Sequence, residues 1–190
     1  MRKCTIILMS FSLITSLLKA EEKVQQKIRT HKAHSHGSGN LSFVTSDNAL
    51  VIELNVPAHD VVGFEHAPKN DSQKSLVKQA IEFLEQSNSN ISLPETAKCK
   101  PQDIGKVETE LDVSSSSHDT HEHHQNNHEH AEFHVKYQFT CKNLEKLSFI
   151  KVLSFQKFNN IKKLKAQGVT KTGQFAKTLT AKSPQFDLSK

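Results

Sequence analysis

Two stretches of this chain alternate apolar and polar residues with a period of two: Leu50-x-Ile52-x-Leu54-x-Val56 and Phe133-x-Val135-x-Tyr137-x-Phe139. In an extended chain successive side chains point to opposite faces, so each stretch describes a strand with one buried and one wet face. A helix would scatter the same residues around its circumference. The chain must therefore build a sheet that is apolar on one side. Leu41 and Phe43 begin the pattern, and Thr45-Ser46-Asp47-Asn48 supplies turn chemistry before Leu50, which predicts a β-hairpin ended by Pro57. Further alternation predicts strands over 104–113, around 147–153, and over 161–170, 173–180 and 186–188.

An apolar sheet face needs a cover. Leu76, Val77, Ala80, Ile81 and Leu84 recur at helical spacing, with Asp71 or Ser72 as the cap, and predict a helix over 71–86 that stops at Ser87-Asn88-Ser89-Asn90. Residues 60–68 read as a loop. The expected fold is α+β: a single domain with an antiparallel sheet and one main helix packed on it.

The strands at 104–113 and 133–141 are separated by Ser114 to His130, 17 residues without an apolar side chain. The pair reads as a long hairpin with that stretch, residues 114–130, as its tip. Six of its residues are histidine (His118, His121, His123, His124, His128 and His130), interspersed with Asp119, Glu122 and Glu129. A solvated spacer needs only Ser, Asn, Asp and Glu, and a pH sensor places a few histidines in a packed interface. Dense imidazole mixed with carboxylate suits zinc, copper(II) or nickel. Ordering such a loop costs roughly 1–2 kcal/mol per residue. It should therefore hold several ions loosely and exchange them quickly, which suits capture and hand-over better than catalysis.

Other histidines sit where a fold can fix them. His134 is out of phase with the apolar row and projects from the opposite face. His34 and His36 share one side of an extended segment, and His66 follows Glu65 in a loop. His59 reads as structural or merely exposed.

The N-terminus reads as a signal peptide over residues 1–20. Arg2 and Lys3 precede an apolar or small uncharged run, Cys4 to Leu18, which falls short of the roughly 20 residues of a spanning helix. Cleavage after Ala20 would take the formal charge from +5 to +2. With no dense basic patch the chain does not look like a nucleic-acid binder, and no membrane insertion is expected after cleavage. Residues 21–36 form a polar, flexible arm ahead of the domain at 37–190. Export would leave Cys99 and Cys141 in an oxidising compartment, which favours a disulfide; two thiolate zinc ligands are the alternative.

The run His31-x-x-His34-x-His36-Gly37, the block Glu53-Leu54-x-x-Pro57-Ala58-x-Asp60-x-Val62-Gly63-Phe64-Glu65-His66-Ala67-Pro68, the histidine-rich insert, and Ala131-Glu132-Phe133-His134-x-x-Tyr137-x-Phe139-x-Cys141 together resemble the ZrgA family of periplasmic zinc-binding proteins. The resemblance implies a periplasmic zinc chaperone or reservoir that assists uptake, handing Zn2+ to the solute-binding protein of an ABC transporter. It also implies an ordered site drawn from His34, His36, His66 and His134, with Glu65 beside them. Here the insert is short and diluted by Gln125-Asn126-Asn127. The rival function is sequestration of zinc, copper(II) or nickel. An enzyme is disfavoured, since no H-E-x-x-H run occurs and the densest histidines lie in a loop.

Overall fold

The computed structural model describes residues 35–111 and 131–188. All of these belong to one compact unit, 33–190; the other unit, 1–32, lies outside the described residues, and with it the expected signal peptide and most of the arm. The histidine stretch lies outside them as well.

The predicted hairpin forms from β1 (Ser38–Ser46) and β2 (Ala49–Pro57), with Leu41 facing Leu54 and Phe43 facing Ile52. Leu50, Ile52, Leu54 and Val56 have no solvent exposure, as period-two alternation requires. Strand β6 (Glu132–Cys141) lies antiparallel to β2, and Phe133, Val135, Tyr137 and Phe139 extend the same apolar face. Two short strands share the far edge of β6. Strand β4 (Cys99–Pro101) pairs with its end, and β5 (Lys106–Thr109) pairs with its beginning. The expected hairpin flanking the histidine stretch is thus present as β5–β6. On the other side β1 pairs with β8 (Lys163–Thr170), and β8 with β9 (Gly173–Thr180).

One pairing departs from the antiparallel expectation. Strands β1 and β8 run parallel, with Ser38 opposite Lys163 and Phe43 opposite Gly168. A side chain at Gly168 would place its Cβ 2.4 Å from the Phe43 ring, so glycine is what lets that ring lie over β8.

Helix α2 (Asp71–Leu84) covers the apolar face with Val77, Ala80 and Leu84, while Leu76 is 45% exposed. The cap is Asn70 rather than Asp71 or Ser72. Its extended backbone lets its side-chain oxygen accept from the Gln73 N–H at 2.9 Å. At the other end Tyr137 donates its hydroxyl to the Leu84 carbonyl. Buried Asn90, in the short helix α3 (Ser87–Asn90), donates to the carbonyls of Phe83 and Gln86 and accepts from Ser154 Oγ. Carbonyls that a helix end leaves unpaired are thereby satisfied inside the protein. A second, three-stranded sheet of β3 (Ile91–Ser92), β7 (Phe149–Val152) and β10 (Gln185–Asp187) adds Ile91, Ile150 and Phe186 to the same core.

Cys99 and Cys141 face each other across β4 and β6 and form a disulfide. Both sulfurs are consumed by that bond, which removes the thiolate-ligand alternative. Among the described residues no helix is long and apolar enough to cross a membrane.

Candidate functional site

Strand directions bring His36, just ahead of β1, and His134, in β6, to the same end of the large sheet. The start of β1, the finish of β2 and the start of β6 all lie there, with Asn40 opposite Asn55 and Asn55 opposite His134. The chain then turns directly out of β2 into α1 (Ala58–Val62), where the sequence reading expects a loop. The Ala58 N–H bonds the Ala131 carbonyl at 2.8 Å. This ties the point where the histidine stretch rejoins the fold to α1. The stretch leaves after Leu111, whose side chain is buried.

The first cluster stands around α1. Gly63 ends the helix with φ of 89°, a left-handed turn natural to glycine, and Phe64, Glu65 and His66 follow. Glu65 Oε1 lies 3.1 Å from His36 Nε2. The His36 ring stacks on His59 with centroids 4.3 Å apart and planes 6° from parallel. His59 Nδ1 is buried without a hydrogen bond, 3.5 Å from Asp60 Oδ1. Asp60 is itself buried and accepts from the Gly37 N–H through Oδ2, which fixes the segment carrying His36. Imidazole lone pairs lie in the ring plane, so two parallel stacked rings cannot aim at one ion. His36 would have to rotate to share a metal with His59.

His66 is turned differently. Its ring stacks on Phe64 at 5.1 Å, and Nδ1 lies 2.9 Å from the Ala67 carbonyl.

The second cluster stands on the wet face of the sheet. His134 projects from the side opposite Phe133 and Val135, as its phase in β6 predicts, and is 43% exposed. Its Nδ1 meets Asn55 Oδ1 at 2.8 Å across the β2–β6 ladder. Its Nε2 lies 3.3 Å from Glu132 Oε2 and 4.0 Å from Glu110 Oε1. Glu108, directly opposite His134 on β5, is engaged by Lys106 Nζ at 2.6 Å. That bond and charge hold its carboxyl below the usual range, with His134 adding a smaller pull.

Of the expected ligands, His36 and Glu65 are brought together, while His66 and His134 each stand in other surroundings. His34, His118, His121, His123, His124, His128 and His130 lie outside the described residues. Among the described residues no group of three or more His, Cys, Asp or Glu is already gathered as a metal-holding set. Sequence reasoning read His59 as structural or merely exposed and did not single out Asn55, Glu110 or Glu132. The i, i+2 spacing of Glu132 and His134 was the available signal, since it puts both on one strand face.

A model of a zinc uptake family matches residues 33–188, most of the chain and all of the described sheet and helices. The chain belongs to the ZrgA family of zinc uptake proteins. Membership gives it a role in zinc uptake, and the ZrgA family is not a class of enzymes. A search of the curated proteins finds no match.

Proposed function

We propose that this protein is a periplasmic zinc-binding accessory of uptake. It gathers Zn2+ on the histidines between His118 and His130 and hands it to the solute-binding protein of an ABC transporter. The observation that carries this reading is the placement of Leu111 and Ala131. Both flanks of the histidine stretch join the fold at the sheet end that bears His134, His36 and Glu65. Ions collected by many interchangeable imidazoles are thereby held close to fixed ones, and a high local ligand concentration favours recapture over escape.

Within this reading His34, His36, His66 and His134, with Glu65, are the ordered ligands, and His118, His121, His123, His124, His128 and His130 are the collecting ones. Residues 1–20 are the export signal. No catalytic step is assigned to any of these groups.

Zinc calorimetry on the full mature chain, compared with a variant lacking 117–130, tests the proposal. The wild type should bind several equivalents, and the deletion should lose the weak ones while keeping a tighter ion. A wild-type chain that takes up no zinc would overturn the reading. Production that rises under zinc excess rather than starvation would favour sequestration instead.

A further inference from the structure

The large sheet ends on β9, and among the described residues no strand lies beside β9 on the side away from β8. Along a strand, the backbone groups of successive residues point to opposite edges. Thr180 exchanges its N–H and C=O with Ser183, at 3.2 and 3.0 Å, and not with β8. The same outward direction therefore falls to Thr178, Ala176 and Gln174, all of them exposed. Pro184 follows Ser183 and has no N–H with which to continue that pairing, and the chain leaves to join β7 as β10. Gln174, Ala176 and Thr178 are left with donors and acceptors facing out of the sheet.

Proteins blunt such edges with lysine, proline, bulges or short strands. Here the β8–β9 ladder runs without a bulge from Lys163 opposite Thr180 to Thr170 opposite Gly173. Lys177, the one lysine in β9, is on the face it shares with buried Ala166. Its Nζ donates to the Gln185 carbonyl at 2.9 Å and lies 3.3 Å from Asp187. The edge is instead surrounded by charge of one sign. Residues 161–188 carry six lysines and a single carboxylate, Asp187, which Lys177 engages. Lys171 stands in the turn before β9 and Lys182 in the turn after it, while Lys163 and Lys165 lie on β8 opposite Thr180 and Thr178. All four are exposed, and among the described residues none has a carboxylate partner. Their summed potential favours an anionic segment. A second copy is disfavoured by the same charges. Two β9 edges related by a twofold axis run antiparallel, which sets Lys171 of each copy against Lys182 of the other.

We infer that the outer edge of β9 is a docking site for an extended, acidic segment of a partner protein, which adds to the sheet as a further strand. Gln174, Ala176 and Thr178 supply the backbone hydrogen bonds, and Lys163, Lys165, Lys171 and Lys182 select carboxylates. Half-buried Phe175 offers an apolar neighbour on the inner face, so the segment that fits alternates apolar and acidic residues. Three strands, β2, β1 and β8, separate this edge from His134 on β6, and its chemistry does not depend on zinc.

The test uses the full mature chain and a synthetic peptide of about ten residues, the length of a long strand, that alternates valine and glutamate. Amide hydrogen exchange is the readout. With the peptide at about ten times its Kd, the Gln174, Ala176 and Thr178 amides should exchange about tenfold more slowly. The Lys177 amide, which faces β8, should not change. A peptide with lysine in place of glutamate should not bind. Ala176→Pro, which removes an outward donor and leaves the β8 ladder its bonds, should abolish binding. Lys171→Glu with Lys182→Glu leaves the strand itself untouched and should weaken binding roughly 2- to 30-fold, as loss of two exposed ion pairs requires. Failure of the acidic peptide to bind the wild type would overturn strand addition. Binding that leaves the three amides exchanging as before would do the same, since charge alone would then explain it. Protection of those amides that appears without peptide and grows with protein concentration would give the edge to a second copy and overturn the acidic partner.

Discussion

Replacing Cys99 and Cys141 together by alanine should cost about 4 kcal/mol of folding stability. The disulfide joins residues 42 apart in sequence. The entropy of closing a loop of that length in the unfolded chain corresponds to about 4 kcal/mol at 25 °C. Alanine avoids burying a hydroxyl at Cys141, which has no solvent exposure. For a domain of this size the loss should lower the melting temperature by about 8–16 °C. The closed loop includes the whole histidine stretch, so its length can be changed without touching the described core. Deleting 114–130 shortens the loop to about 25 residues, and the logarithmic dependence reduces the value of the disulfide by only about 0.5 kcal/mol. Urea unfolding of four proteins completes the cycle: wild type, double alanine, loop deletion, and their combination. If the double alanine variant loses less than about 1 kcal/mol in both backgrounds, the unfolded-state argument is wrong. If the deletion removes most of the disulfide's contribution, the bond acts through the loop and not through chain entropy.

Gly168→Ala should destabilise the fold by about 1–3 kcal/mol in urea, because the added carbon meets the Phe43 ring at 2.4 Å; wild-type stability would mean the ring does not depend on β8. Tyr137, the only tyrosine in a chain without tryptophan, is buried, which raises its phenol well above the usual value near 10. Its contribution is therefore intact below pH 10 and is lost as pH rises beyond it, because the unfolded chain ionises first. Melting against pH should show this decline, Tyr137→Phe should lack that share of it, and phenolate absorbance should appear only with unfolding. Zinc binding should weaken as pH falls through the histidine range near 6.5, where protons compete for imidazole; pH-independent binding would argue against histidine ligands.

Strands β2 and β6 and helix α2 were legible because each carries its own periodicity, and the buried rows Leu50–Val56 and Phe133–Phe139 follow the alternation residue by residue. The β5–β6 hairpin was legible because an apolar-free stretch separates two alternating ones. The parallel pairing of β1 with β8 was not, since alternation says that a strand has a buried face but not which neighbour it takes. Helix α1 was hidden by its brevity. Asn90 and Ser154 look like loop residues until the fold folds them onto helix carbonyls. His134 was singled out by its phase in the strand. Glu110 was not, because a carboxylate on a wet strand looks like ordinary solubility until the register brings it towards His134. His59 read as an isolated histidine, and only the turn into α1 lays it against His36.

The position of β1 has a consequence for how the chain acquires its shape. The strand that begins the sheet is flanked on one side by its immediate successor and on the other by residues 163–170. No amount of local structure formation can finish the middle of the sheet until those late residues arrive, and contacts of such long sequence separation form slowly. Until then β1 presents an open edge of unpaired backbone groups. A chain interrupted before β8 would keep that edge, and a neighbouring molecule could occupy it.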